Sequence, residues 1–140
     1  SIKDIYEEGI VLKHCIHTCD IYFQRMDIRE TYLLFLRRTD KPDVPWYTLE
    51  IEPGGNIRQK ISVLNEAYKD LDDAMPFLKK WQQWVKKNLS AKDKKLAEKS
   101  DKARKDGYKQ LREEKKLIWH GRLQGTLLAD ALENDFMEVV

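Results

Sequence analysis

The chain has 140 residues, of which 41% are hydrophobic and 36% charged, with a formal net charge of +2. That length suits one ordinary domain and is enough to bury a core without disulfide or metal staples, and aromatic residues at 10% exclude wholesale disorder. No apolar run approaches the ~20 residues that a membrane span needs.

The opening Ser1-Ile2-Lys3-Asp4 carries neither an initiator Met nor a charged-then-apolar leader pattern, so an excised fragment or a tag scar is expected there. Cys15 and Cys19 stand four apart in a helical pattern, where a mutual disulfide is geometrically awkward. Reduced thiols and a cytoplasmic location are the expectation.

Residues 2–8 are expected to form a short helix ended by Gly9. A second helix is predicted over about 13–26, where Cys15, Cys19, Tyr22 and Met26 recur at helical spacing. Thr31 to Arg37 is an apolar run of strand length, and Asp40-Lys41-Pro42-Asp43-Val44-Pro45 is a turn by composition. From Trp46 to Glu52 the residues alternate, with Tyr47, Leu49 and Ile51 on one face and Trp46, Thr48, Glu50 and Glu52 on the other. That alternation predicts a half-buried strand. Pro53-Gly54-Gly55-Asn56 is a hairpin signal, because glycine tolerates the positive φ of tight turns, and Ile57 to Val63 is the returning strand.

The turn sets a register. With Gly54-Gly55 as a two-residue loop, Glu52 faces Ile57, Glu50 faces Gln59 and Thr48 faces Ile61. A one-residue slip would put Glu50 and Gln59 on opposite faces.

A third helix is predicted to begin near Pro76, with Phe77, Leu78, Trp81, Trp84 and Val85 as an apolar stripe. Phe77, Trp81 and Val85 are expected to be buried against the sheet, with Trp81 and Trp84 as core and rim. A lysine-rich helix follows over about 91–118, with an interruption allowed at Gly107, and the tail 123–140 has a weaker helical pattern in Leu127, Leu128, Ala131 and Leu132. Between Lys86 and Lys116 there are 13 basic and 6 acidic residues, so a cationic arm joins a mildly acidic body. The expected fold class is α+β: N-terminal helices, a three-stranded antiparallel meander, a packed amphipathic helix and a basic helical C-terminal segment. Residues 1–90 are taken as the core and 91–140 as a basic extension packed on it or projecting from it.

Gly9-x-x-Leu12-x-His14-Cys15, Leu36-Arg37, Pro45-x-Tyr47-Thr48-Leu49-Glu50, Gln59, Asn65 and the Phe77/Trp81 helix occur in that order. Over about residues 5–86 this arrangement resembles the PcfJ-like family, proteins of conjugative plasmids, phages and related mobile elements. The resemblance implies a link to DNA transfer or phage biology, and marks His14, Arg37, Glu50, Gln59 and Asn65 as the matching polar positions. Lys60 and Ile61 stand where members often carry a glycine, so a different exit of that strand is expected.

His14, Cys15, His17 and Cys19 invite a zinc reading, but on one helix they point at roughly 0°, 100°, 300° and 140°. One helix cannot close a tetrahedron with those directions, so no metal site is expected, and no cofactor. No phosphate-binding glycine loop is present. His14, Arg37, Glu50 and Gln59 form the stronger set: Glu or His to move protons and Arg to stabilise a charged phosphorane-like state, in metal-independent phosphodiester chemistry. The structural alternative is a Glu50–Gln59 cross-strand hydrogen bond with Arg37 paired to Glu50.

Lys92, Lys94, Lys95, Lys99, Lys102, Arg104, Lys105 and Lys109 are the candidate nucleic-acid-binding residues, with Tyr108 and Trp119 as stacking rings. The bland alternative is a solvated helix with internal pairs such as Asp101–Lys105 and Glu98–Lys102. Three readings stand together: a nucleic-acid-associated accessory domain of a mobile element, binding DNA or RNA; a metal-independent nuclease or transferase using His14, Arg37 and Glu50; and an interaction module whose basic helix binds an acidic protein.

Overall fold

The computed structural model describes residues 20–62, 69–118 and 123–140. The expected helix over 2–8, the start of the helix over 13–26, and Val63 lie outside the described residues. The elements are α1 (Asp20–Asp27), β1 (Tyr32–Leu36), β2 (Tyr47–Ile51), β3 (Ile57–Ile61), a 3₁₀ helix (Lys69–Ala74), α2 (Met75–Lys87), α3 (Ala91–Glu113) and α4 (Leu128–Asp135). The three strands form an antiparallel meander in the order β1-β2-β3, so the fold is α+β.

Glu50 faces Gln59 and Thr48 faces Ile61, as the turn chemistry predicts. The route to that register differs from the expected one. The loop is three residues, 53–55: the Glu52 N–H donates to the Asn56 carbonyl at 2.8 Å and the Gly55 N–H to the Glu52 carbonyl at 2.9 Å. Glu52 therefore meets Asn56, not Ile57. Gly55 has φ +97°, which side-chain-bearing residues rarely adopt, and a Cβ there would also crowd Val139 at 3.1 Å and Val85 at 3.3 Å. The longer loop alone would set Glu50 opposite Arg58. A bulge between Glu50 and Ile51 on β2 and their partners on β3 inserts Arg58 as an extra residue and restores Gln59 to Glu50. The two departures cancel.

The bulge also decides where Arg58 points. Ile57 belongs to the apolar cluster of Tyr47, Leu49, Ile51, Leu71 and Leu78, while Gln59 bonds Glu50 on the other face. Arg58 joins Gln59 on that polar face, where it reaches Glu52.

β2 is buried along its whole length, including Glu50 at 0% exposure, rather than half-buried. Helices cover both faces. On the apolar face lies α2, which starts with proline in its first turn. Its deepest residues are Leu78 and Gln82, each 2% exposed; Trp81 packs at the edge of the core and Val85 is half-buried. Phe77 is 61% exposed, contrary to its expected burial, and Trp84, expected at the rim, is 63% exposed. The helix is rotated so that Gln82 enters the core, where its amide donates to the Gly55 and Met137 carbonyls at 3.0 Å each. Those two bonds tie the hairpin loop and the C-terminal segment to α2.

On the polar face, α1 sets Tyr22 against Ile61, with Phe23, Met26, Leu33 and Phe35 around them. Beside it lies α3, begun by a capping box of Ser90 and Asp93 and continuous through Gly107. It ends at Glu113 rather than near 118, because Lys115 adopts φ 51° and the Lys116 N–H closes back on the Leu111 carbonyl. Residues 135–137 then cover the outer edge of β3: Ile57 and Met137 exchange backbone bonds of 2.9 and 2.8 Å, and Asp135 accepts from the Lys60 N–H at 3.0 Å. Among the described residues, no helix is long and apolar enough to cross a membrane.

Candidate functional site

Carboxylates from the meander and its approach meet arginines from three elements beneath α3. Glu50 Oε1 accepts from Arg25 at 3.2 Å and Gln59 at 3.1 Å, and its Oε2 from Arg25 at 2.9 Å and the Thr31 hydroxyl at 2.8 Å. Glu52 Oε1 accepts from Asn56 at 2.9 Å and Arg104 at 2.5 Å, and its Oε2 from Arg58 at 2.7 Å and Arg104 at 2.7 Å. A carboxylate offers about four acceptor positions, and in both residues four are filled.

Arg58 spends the rest of its fork on Glu30 at 2.9 Å and on the Ser100 carbonyl and hydroxyl at 2.9 and 3.2 Å. The Ser100 hydroxyl donates in turn to the Glu30 carbonyl at 2.6 Å. Arg104 also bonds Asp101 and lies over the Phe136 ring, 4.1 Å from its centroid. Burial alone would lower the Arg58 pKa, but the hydrogen bond and charge of Glu52, with the fields of Glu50 and Glu30, raise it above the ordinary value. Asp101 is held below the usual carboxylate range: Lys105 and Arg104 outweigh its desolvation. A cleft of about 80 Å³ opens beside the network, lined among others by Arg25, Glu50, Gln59 and Tyr108. Burial raises the Tyr108 phenol above its ordinary value.

Of the four candidate catalytic residues, the fold brings Glu50 and Gln59 together. Arg37 lies elsewhere: its guanidinium sits 5.5 Å from the Phe35 ring centroid, donates to the Leu36 carbonyl at 3.4 Å and lines an apolar groove between β1 and α2. The arginine on Glu50 is Arg25, in the last turn of α1, and nothing local in the sequence links it to β2. His14 and Asn65, and with them Cys15, His17 and Cys19, lie outside the described residues.

The basic helix divides in two. Lys92, Lys94, Lys95, Lys99, Lys102, Lys105 and Lys109 are all exposed. Arg104 does not share that face: it is 6% exposed, turned inward and engaged with Glu52 and Asp101, so it is not placed to meet a phosphate. Tyr108, expected as an outward stacking ring, is half-buried at the cleft, and Trp119 lies outside the described residues. Lys105 pairs with Asp101 at 2.8 Å as expected, whereas Lys102 pairs forward with Asp106 at 3.2 Å and not back with Glu98.

A family model described as PcfJ-like protein matches residues 1–75, more than half of the chain. The chain belongs to the PcfJ-like family. No curated protein and no solved structure matches it. The matched region of this PcfJ-like chain holds Glu30, Glu50, Glu52 and Arg58, while Ser100 and Arg104 come from beyond it. The basic helix thus completes the ionic network of the PcfJ-like part from outside the match.

Proposed function

We propose that this PcfJ-like domain is a cytoplasmic, nucleic-acid-associated accessory domain of a conjugative or phage-related element. In this reading the meander and its ionic network are scaffold, and the outer face of α3 follows the phosphates of DNA or RNA. The observation that carries it is the sorting of cations along α3. Seven lysines face outward, while the one arginine near its middle is spent internally on Glu52. The helix is thereby fixed by its inner face and offers a row of outward ammonium groups about 26 Å long, from ~1.5 Å per residue, in which Lys102 and Lys105 also pair with Asp106 and Asp101. The saturation of Glu50 favours scaffold over catalysis, since a general base needs a free lone pair within reach of its proton.

The test is binding to single- and double-stranded DNA and RNA across a salt series. The slope of log K against log salt is expected to be about −0.9 for each phosphate neutralised on a duplex and about −0.7 on a single strand. Charge reversal of Lys95, Lys99 and Lys109 should abolish binding with little change in Tm. Salt-insensitive or absent binding by the wild type would reject the reading and leave the acidic-protein partner in front.

A further inference from the structure

The outer face of α2 carries a second cationic surface, and its chemistry differs from that of α3. Trp84 is 63% exposed and, with Lys79, Lys80, Gln83 and Lys87, lines an open hollow of about 420 Å³. Lys80 stands four residues before Trp84 and Lys87 three after, so the two ammonium groups flank the indole along the helix. Phe77, 61% exposed, lies seven residues before Trp84 and hence on nearly the same line of the helix, about 10 Å away at 1.5 Å per residue.

Single exposed apolar residues are ordinary. This surface is distinguished by its charge. Between Met75 and Lys87 there are four lysines and no acidic residue. Among the described residues no carboxylate pairs with Lys79, Lys80 or Lys87, whereas on α3 Lys102 and Lys105 have acidic partners on their own helix. From Lys79 to Lys95 the chain has seven lysines and one acid, Asp93, which is engaged in the capping box that starts α3.

We infer that Trp84, flanked by Lys80 and Lys87, is a stacking platform for a base of single-stranded nucleic acid. The inference rests on the proposed nucleic-acid reading and narrows it to the single-stranded form. A duplex hides the faces of its bases in its own stack, so it gives lysines their phosphates but gives an exposed indole nothing to cover it. A single strand offers both, and stacking on an aromatic face is sequence-tolerant because every base has a π-face. Two aromatic rings about 10 Å apart among lysines do not make the continuous apolar helix face that insertion at a lipid surface asks for.

The experiment uses the whole chain and three probes: fluorescein-labelled oligothymidylate, its duplex with oligoadenylate, and phosphatidylserine vesicles. Trp84→Ala is expected to weaken single-strand binding at least about fivefold, the low end for one stacked base, and to move duplex binding less than about twofold. Trp84→Phe should recover most of the loss, and both variants should melt like the wild type, since the side chain is largely exposed. Equal losses on single strand and duplex, or no loss on either, overturn the stacking inference. If Trp84→Ala binds normally while charge reversal of Lys95, Lys99 and Lys109 abolishes binding, the inference falls and the parent reading stands. If the wild type binds neither nucleic acid, both fall. Vesicle binding that depends on Trp84, without single-strand binding, would assign the surface to lipid instead.

Discussion

Arg104 Nη1 donates to both oxygens of Glu52, at 2.5 and 2.7 Å, across 52 positions of sequence. Both side chains are nearly inaccessible, at 5% and 1% exposure. This pair fastens α3 to the edge of the hairpin loop. Removing Arg104 empties two of the four acceptor positions on buried Glu52, which keeps Arg58 and Asn56, and losing hydrogen bonds to a charged group typically costs about 1.5–3 kcal/mol. Arg104→Ala should therefore show a loss of that size in urea unfolding, and Arg104→Lys should recover part of it, since an ammonium keeps the charge but lacks the fork. A loss for Arg104→Ala below about 1 kcal/mol would mean that α3 is held by something else.

Gln59 is a neutral neighbour of Glu50, with its amide donating at 3.1 Å. Gln59→Glu would put a second carboxylate at that distance, and two such groups resist joint ionisation. The variant should melt below wild type at neutral pH and close part of the gap on acidification, since two adjacent carboxylates favour holding a shared proton. A pH-independent gap would point to lost packing instead of charge repulsion.

The rotation of α2 predicts an inverted sensitivity along its apolar stripe. Leu78→Ala, at a residue 2% exposed, should cost about 2–5 kcal/mol, and Phe77→Ala, at 61% exposed, no more than about 0.5 kcal/mol. Gln82→Leu should cost about 1–3 kcal/mol despite its greater hydrophobicity, because the Gly55 and Met137 carbonyls lose their donor. Chemical denaturation of the three variants decides it, and a Phe77 cost equal to that of Leu78 would sink the assignment.

Asp70 receives the Trp46 indole N–H and the Tyr47 hydroxyl, each at 2.8 Å. Desolvation would raise its pKa, but these two donors and the charge of Arg38 outweigh it and lower the carboxyl below its ordinary value. A depressed folded-state pKa contributes stability that is present above the ordinary carboxylate value, about 3.9 for Asp, and is lost as pH falls through the lower folded value. The difference in Tm between wild type and Asp70→Asn should hold steady near neutrality and narrow below about pH 4. A difference that grows on acidification would contradict the sign.

Much of the meander is legible in the residues themselves. Alternation over Trp46–Glu52, the Gly-Gly loop and the proline near the start of α2 place the strands and the helix, and they bring Glu50 opposite Gln59. These are local effects: side-chain direction repeats every two or 3.6 residues, and turn chemistry acts within four. The register itself came out through an offset, a loop one residue longer than expected with Arg58 as the extra residue that compensates. Neither local preference shows that bulge, because it is stabilised by what Arg58 reaches on the far side: Glu52, Glu30 and Ser100.

Partner choice among the charges belongs to the tertiary structure. Composition counts Arg25, Arg37, Arg58 and Arg104 as equal cations. Packing gives Glu50 to Arg25, sends Arg37 to the Phe35 ring and turns Arg104 inward, leaving the lysines outside. The physical reason is that a carboxylate's four acceptor positions are filled by whichever donors the fold carries to it, from residues 4 to 52 positions distant in sequence. The angle at which a helix docks, and hence which side of it faces the sheet, is decided by the whole contact surface. Phe77 turns outward and Gln82 inward for that reason: two backbone carbonyls in need of a donor outweigh one more buried ring.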